Sequence, residues 1–247
     1  MLAYSFAGFA LVIAVAFARG TKDKYADFCF GVMLPITVLL LQPLGPVTSW
    51  LRPTTLDAML RSIDLAMGLD GFALTRFLVR ARLYTIIPVV YYLLPVVIAM
   101  AWVFERPKYL MRVLLLGAAL ALPCFLVIPA CGPSHAFLNW PSSATQLIPS
   151  IGSFYPRNCV PSMHFSWALA LAINARNRIW QSLLWVFVGL TGIATVGGGE
   201  HYFIDIIVAV PFTIVVQRIA TGLACQHPAE AILGASPEHS CAMTSPR

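Results

Sequence analysis

The sequence predicts an all-α protein: a polytopic bundle of membrane helices with six or seven spans and an amphipathic helix at the membrane interface. The chain has 247 residues, of which 59% are hydrophobic and 11% are charged, and its mean hydropathy is +0.80. Soluble domains carry about 25% charged residues, so this composition indicates lipid as the surrounding solvent. The apolar runs are continuous rather than alternating, which favours helices over the strands of a barrel.

Seven apolar runs are interpreted as helical spans. The predicted spans are residues 1–18, 26–44, 83–104, 109–128, 161–173, 179–196 and 201–223. The first run has no basic residue before it and has Arg19, Lys22 and Lys24 after it, so we expect a retained helix and not a cleaved signal peptide. Residues 1–225 are predicted to form one membrane domain, and residues 226–247 are predicted to be a disordered tail.

The stretch 54–82 mixes apolar and charged residues at helical spacing. Asp57, Arg61 and Asp64 share one face of the predicted helix, and apolar side chains occupy the other. This pattern predicts a helix that lies along the membrane interface. Its charges are expected to form a solvated face without a catalytic role.

Basic residues predict the orientation of the chain in the membrane. If the loop 131–160 faces outward, ten of the sixteen Lys and Arg residues fall on the cytoplasmic side. The positive-inside rule therefore places this loop on the outward face of a cell membrane, which we take to be a bacterial inner membrane. The net charge of +6 is explained by this topology, and no nucleic-acid partner is expected.

The six cysteines include no C-x-x-C pair, so the sequence carries no zinc or redox signature. We expect most of them to be small apolar helix residues. Cys131 and Cys159 bracket the outward loop, and a disulfide between them is an alternative in an oxidising compartment.

Two short strings combine residue types that carry chemistry. PSMH, residues 161–164, opens the fifth predicted span, and GGGEHYFID, residues 197–205, opens the seventh. His164 and His201 are 37 residues apart, which is about 55 Å of helical path, or one crossing of the bilayer and one return. Both histidines are therefore expected at one membrane face.

This meeting place is predicted to bind phosphate. Two helix N-termini would converge there with unpaired backbone N–H groups, and Gly198 and Gly199 would let the backbone approach a ligand closely. His201 and Asp205 lie at positions i and i+4. The carboxylate can therefore hold one ring nitrogen and leave the other as a nucleophile.

These strings resemble the second and third signature motifs of the type 2 phosphatidic acid phosphatase superfamily, over residues 129–211. They are most similar to those of its inositol phosphorylceramide synthase-like branch. The resemblance implies that His201 attacks phosphorus and becomes a phosphohistidine, that Asp205 orients it, and that His164 protonates the departing alkoxide. It also implies that Ser162 helps to bind phosphate, and we expect neither a cofactor nor a metal.

The sequence departs from this family pattern at the cations. The first motif, K-x6-R-P, is absent, and Ala194 and Thr195 stand where the third motif has Ser-Arg. Arg157, just before PSMH, is a candidate replacement because a guanidinium can bind phosphate bidentately. A loop charge that faces lipid headgroups is the alternative interpretation of Arg157.

Other polar and aromatic residues lie near the motifs. His135 and Asn139 are candidate contacts for a polar acceptor, and Glu200 is expected at the rim of the site. Tyr202 and Trp140 are predicted to be interfacial aromatic residues.

The sequence thus predicts an integral-membrane lipid phosphate phosphatase or phosphotransferase that does not need a metal. Its donor would be a lipid phosphate or phospholipid, and its acceptor would be water or a polar alcohol. Headgroup transfer to an alcohol, as the synthase-like branch implies, is the alternative reaction. Three interpretations of the His-His-Asp set also stay open: a metal site, hydrogen bonds between helices, or an ion relay in a transporter.

Overall fold

The computed structural model describes residue 14 and residues 44–105, 108–138, 140–141 and 155–226. Within these ranges the regular structure is helical, without strands. The helices are α1 (Leu44–Leu51), α2 (Asp57–Ala66), α3 (Gly71–Arg80), α4 (Ile87–Glu105), α5 (Lys108–Val127), α6 (Pro133–Ala136), α7 (Met163–Asn174), α8 (Arg178–Gly197) and α9 (Phe203–Gln226). A short 3-10 turn, Tyr84–Ile86, leads into α4.

Four of the predicted spans are confirmed as helices that are long and apolar enough to cross a membrane. The corresponding stretches are Tyr84–Trp102, Leu110–Val127, Arg178–Gly197 and Phe203–Gly222. Each has 18 to 20 residues, close to the ~20 that a bilayer core requires. Apolar side chains such as Ile179, Val186 and Val215 are exposed on α8 and α9, as expected for surfaces that face lipid.

The other predicted spans have different outcomes. Apart from Ala14 and Leu44, the first two lie outside the described residues, and so does the predicted tail after Gln226. The fifth is observed as α7, which has 12 residues and a length of about 18 Å, shorter than a bilayer core. The prediction that this run crosses the membrane is therefore not confirmed, and the total number of spans stays a prediction.

Helix α7 lies at the centre of the bundle. It packs against α4, α5, α8 and α9, and Ala168, Ala170 and Ala172 are among its buried residues. Alanine has no side chain beyond Cβ, so neighbouring helices can approach the α7 backbone closely. The helix that begins at the PSMH string is therefore enclosed by protein.

The stretch 54–82 forms two helices, α2 and α3, instead of one. Helix α2 packs against α9, and α3 packs against α8. The expected solvated face of α2 is wrong, because Asp57 is 0% exposed and Asp64 is 3% exposed. The position of this stretch along the membrane interface stays a prediction.

Candidate active site

The ring of His201 is held from one side, just before α9 begins. Its Nδ1 lies 3.0 Å from the carbonyl oxygen of Cys159 and 3.3 Å from Oδ2 of Asp205. Both partners are acceptors, so in the neutral ring Nδ1 carries the proton and Nε2 keeps a lone pair. The structure thus contains the His201–Asp205 contact that the i, i+4 spacing predicts, in a residue that is only 6% exposed.

Asp205 also shapes the first turn of α9. Its Oδ2 accepts a hydrogen bond from the backbone N–H of Tyr202 at 2.8 Å. Tyr202 immediately precedes the helix and Asp205 is its third residue, so this bond is the carboxylate half of a capping box. The other carboxylate oxygen, Oδ1, is buried and has no hydrogen-bond partner among the described residues.

The PSMH string lies against this turn. The backbone N–H of Ser162 donates to the carbonyl oxygen of Asp205 at 3.3 Å, so the two motifs are bonded directly. The Ser162 hydroxyl is buried, does not cap α7 and has no partner within the described part of the chain. His164 stacks on Tyr91 of α4, with ring centroids 3.9 Å apart. A buried hydroxyl at the start of a helix is well suited to bind a phosphate oxygen.

His135 and Glu200 form a polar pair beside the nucleophile. Nε2 of His135 lies 3.7 Å from Oε2 of Glu200, and the His135 ring stacks on Tyr155. Burial acts to raise the pKa of Glu200, but the hydrogen bond and charge of His135, with the charges of His201 and His164, lower it below its ordinary value. Glu200 is therefore an anion at neutral pH within electrostatic reach of both motif histidines.

Arg157 is buried, with 1% of its surface exposed, which does not fit a loop charge facing headgroups. Its backbone N–H donates to the Thr48 hydroxyl. Its guanidinium donates from Nε to the carbonyl oxygen of Arg52 at 3.4 Å and from Nη1 to that of Tyr155 at 3.0 Å. These bonds tie the loop before PSMH to the end of α1.

The glycines before His201 allow close packing of the turn. Gly199 has a φ of +77°, and a Cβ atom there would lie 2.5 Å from the Trp140 ring. A Cβ atom on Gly198 would lie 2.8 Å from the carbonyl oxygen of Ala194. Glycine is therefore required at both positions by protein contacts, and contact of Gly198 or Gly199 with a ligand stays a prediction.

Asp57 contributes to the site from α2, a role that its sequence pattern did not predict. Its Oδ1 accepts hydrogen bonds from the Tyr202 hydroxyl at 2.9 Å and from the backbone N–H of Gly132 at 3.0 Å. Both of its oxygens lie 3.2 Å from the backbone N–H of Cys131. Tyr202 is 2% exposed, so the prediction of an interfacial aromatic residue is wrong.

Asp64 occupies the N-terminus of α9. Its two oxygens accept the backbone N–H groups of Phe203 at 2.8 Å and Ile204 at 2.9 Å. Burial raises the pKa of Asp64, and these two hydrogen bonds act in the opposite direction. The expectation that these two N–H groups bind phosphate is therefore wrong, because a carboxylate of the protein already takes them.

A small cavity lies between α2, α3 and the residues just before α9. Its lining includes Arg61, Asp64, Asp70, Phe72, His201 and Tyr202. The Arg61 guanidinium lies over the Phe72 ring, 4.3 Å from its centroid, where a cation–π interaction stabilises it. Arg61 and His201 thus line the same cavity, and Arg61 belongs to the helix face that was predicted to be solvated.

Cys159, His201 and Asp205 are the candidate metal ligands in the described ranges. One potential ligand atom from each lies within 4.8 Å of the others. Burial raises the pKa of the Cys159 thiol well above its ordinary value, which makes it a weak ligand at neutral pH. Cys131 and Cys159 are free, so the alternative of a disulfide between them is not observed.

Comparison with known families identifies the chain at the level of a superfamily. A family model described as the PAP2 superfamily matches residues 60–219, which is more than half of the chain and includes both motifs. No curated protein and no solved structure matches the chain. The inositol phosphorylceramide synthase-like branch therefore stays a prediction. With four apolar helices able to cross a membrane and this match, the protein is a membrane protein and belongs to the PAP2 superfamily.

Proposed function

We propose that this protein is an integral-membrane lipid phosphate phosphatase or phosphotransferase that works through a phosphohistidine at His201. Membership of the PAP2 superfamily indicates a phosphatase-type enzyme that acts on phosphoesters. The observation that carries the finer proposal is the orientation of His201. Its Nδ1 is held by Cys159 and Asp205, which leaves Nε2 for attack on phosphorus.

In the first half-reaction, Nε2 of His201 forms a bond to phosphorus while the bond from phosphorus to the lipid oxygen breaks. His164 gives a proton to the departing oxygen. The His201 ring gains positive charge as the bond forms, and the Asp205 carboxylate stabilises that charge. The hydrogen bond between Ser162 and Asp205 keeps the two motifs in a fixed relation during this step.

The phosphoryl group would be held at the start of α7. The Ser162 hydroxyl is a buried donor with no partner among the described residues. Arg157 lies in the loop just before PSMH, and a guanidinium can bind phosphate bidentately, so we assign it a contact with the phosphoryl group. Gly198 and Gly199 would line the approach of the donor, and the reaction would proceed without a metal.

In the second half-reaction, an acceptor oxygen attacks the phosphohistidine after losing its proton to His164. Water as the acceptor gives a phosphatase. A polar alcohol gives a headgroup transferase of the inositol phosphorylceramide synthase-like kind, which is our second candidate. The pair of His135 and Glu200 favours this candidate, because it offers a donor and an acceptor for hydroxyl groups beside His201.

We place the site on the outward face of a cell membrane. The site motifs lie at the C-terminal end of α8 and at the starts of α7 and α9, whereas the turn between α7 and α8 carries the exposed Arg176 and Arg178. By the positive-inside rule this arginine turn is cytoplasmic. The donor would then be a membrane lipid whose phosphate lies at the outer surface.

The proposal is tested with purified protein in nanodiscs and a panel of lipid phosphates and phospholipids, with and without alcohol acceptors. Mass spectrometry would detect released phosphate and transferred headgroups, and acid-stable or base-stable labelling would distinguish phosphohistidine from phosphoester. We expect turnover by the wild type and its loss in His201→Ala, with His239→Ala as a matched control outside the motifs. Activity that survives in His201→Ala, or an inactive wild type on every donor, would contradict the proposal.

The rival interpretations are tested in the same assay. An ion-coupled transporter would move ions across proteoliposomes without cleaving any donor. A metal enzyme would lose its activity in a chelator and regain it with one divalent ion. The phosphohistidine mechanism predicts activity that a chelator does not change and that vanadate inhibits.

A further inference from the structure

We propose that Asp57 and Asp64, here called the α2 carboxylates, are positioning residues that set the orientation of His201. Asp64 would supply the N-cap of α9 from another helix, and Asp57 would fix Tyr202. This inference rests on the proposed function of His201 as a nucleophile, but its structural part can be tested without turnover.

The first step concerns the N-cap of α9. The first N–H groups of a helix need acceptors, which a Ser, Thr, Asp or Asn at the N-cap usually provides. The residue at this position is Tyr202, whose hydroxyl instead donates to Asp57. Asp64 accepts the N–H groups of Phe203 and Ile204, and so performs the task of an N-cap side chain from 139 residues away in the sequence.

The second step links this cap to the nucleophile. Asp205 completes the capping box by accepting the N–H of Tyr202, and it does so with the same oxygen that lies 3.3 Å from Nδ1 of His201. The first turn of α9 therefore determines where that oxygen lies. If the first turn of α9 loses the Asp64 cap, it frays. The contact between Oδ2 of Asp205 and Nδ1 of His201 is then weakened.

The third step concerns the residues on either side of His201. Asp57 bonds Tyr202, which follows His201, and it also bonds Gly132. Gly132 packs so closely under Glu200, which precedes His201, that a Cβ atom on Gly132 would clash with the Glu200 carbonyl oxygen. Asp57 thus restrains the backbone both before and after the nucleophile.

A carboxylate is needed for this arrangement. At Asp64 the two N–H groups go to two different oxygens. An asparagine has one acceptor oxygen, and its NH₂ group would face the second N–H, so Asn cannot replace Asp64 here although the two residues cap ordinary helices about equally well. Glutamate keeps both acceptors at the cost of one extra methylene.

The test compares Asp64→Asn with Asp64→Glu. We expect Asp64→Asn to lower kcat by about 10- to 100-fold with KM changed by less than about three-fold, because a displaced nucleophile is penalised mainly in the transition state. Asp64→Glu should recover part of that loss. The matched control is Asn177→Ala. The Asn177 side chain caps the N-terminus of α8 by accepting the backbone N–H groups of Ile179 and Trp180, at the end of α8 that is far from the site. Its removal should leave kcat unchanged.

A spectroscopic measurement separates positioning from general destabilisation. In protein labelled with ¹⁵N at histidine, the wild type should show His201 with its proton on Nδ1, assigned by its absence in His201→Gln. Asp64→Asn should shift this signal toward a mixture of tautomers, while Asn177→Ala should not. This measurement needs no substrate, so an inactive wild type would contradict the proposed function alone and leave the positioning proposal to be decided by the spectrum.

A folded Asp64→Asn protein with wild-type kcat would overturn the proposal, and so would a lowered kcat with an unchanged His201 signal. If Asp64→Asn does not fold, Tyr202→Phe decides, because it keeps both α2 carboxylates and removes only the hydroxyl bond to Asp57. We expect Tyr202→Phe to lower kcat by several-fold and to change the His201 signal. Wild-type values of both in Tyr202→Phe would overturn the proposal.

Discussion

Oδ2 of Asp205 serves two donors, the backbone N–H of Tyr202 and the ring of His201. The shorter bond, at 2.8 Å, is to the backbone, and the ring contact is at 3.3 Å. The ring therefore depends on a second acceptor, the carbonyl oxygen of Cys159 at 3.0 Å. Two acceptors on one nitrogen hold the proton there more firmly than either alone.

At residue level, the side chains that bind phosphate are tested by replacing Arg157 and Arg61 with lysine, one at a time. Arg157→Lys should raise the KM for a phosphate-bearing donor about 10-fold, because lysine keeps the charge but loses the bidentate geometry of a charged hydrogen bond. The same change at Arg61, which lies over Phe72, should have a smaller effect. Steady-state kinetics would measure both, and a larger rise in Arg61→Lys would move the phosphate contact to Arg61.

A pH-dependent stability difference is expected from Glu200. Its pKa in the folded protein is below the ordinary 4.5, so the ionised carboxylate stabilises the fold above the unfolded-state pKa, and this contribution is lost as the pH falls through the folded-state value. Wild type should therefore melt at a higher temperature than Glu200→Gln at pH 7. The difference should disappear below the folded-state pKa, and a difference that grows on acidification would contradict this assignment.

The sequence allowed only part of these residue contacts to be predicted. The contact of His201 with Asp205 was predicted from i, i+4 spacing on one helix, and it is observed although His201 lies just before α9 begins. The carbonyl of Cys159 could not be predicted, since every residue has a backbone carbonyl and only the fold selects one. Arg157 was singled out by its distance from PSMH in the sequence, but its burial depends on contacts with α1.

At the scale of elements, α2 shows what the spacing of residues along a helix cannot predict. The spacing of Asp57, Arg61 and Asp64 correctly put them on one face, but spacing does not say whether that face meets water or protein. The free-energy cost of burying a charge bears on this question, because a buried carboxylate needs hydrogen-bond partners. The backbone N–H groups of α9 and of residues 131–132 are the partners that offset that cost.

The same limit applies to helix α7. An apolar run looks the same in sequence whether lipid or other helices surround it. Its buried alanines indicate the second case, because small residues allow close helix contacts and contribute little to a lipid-facing surface.

The packing of α7 is tested by adding volume at an alanine. Ala168 is 0% exposed, and Ala168→Leu should lower the free energy of unfolding by about 1–3 kcal/mol because the neighbouring helices must move apart. The matched control is Ala119→Leu on the exposed face of α5, which should change the melting temperature little. Equal effects of the two substitutions in a thermal melt in detergent would show that α7 is not tightly enclosed.

At the scale of the whole molecule, the alternating directions of the helices place the site motifs and the exposed arginines at opposite ends of the bundle. The PSMH string, the turn at His201 and the buried carboxylates lie at one end of the bundle, and the turn with Arg176 and Arg178 lies at the other. Composition and run length were enough to predict the membrane class and four spans. They could not decide between water and an alcohol as the acceptor, since that choice depends on the shape of the site and not on the motifs.

The orientation is tested by cysteine labelling in intact cells. A membrane-impermeant maleimide should label Tyr155→Cys, at an exposed position near the site, without permeabilisation. Asn177→Cys, at the opposite end, should be labelled only after the membrane is opened. The parent protein without the new cysteine is the control, and the reverse pattern would place the site in the cytoplasm.

The bonds between α2 and α9 also bear on the order of synthesis. Asp64 leaves the ribosome 139 residues before Phe203, its hydrogen-bond partner. The chain up to α8 is therefore made while the two acidic groups of α2 still lack their partners at residues 202–204. The turn that carries His201 can reach its final form only when α9 is in place. A nascent chain would thus carry no ordered nucleophile before α9 has been made.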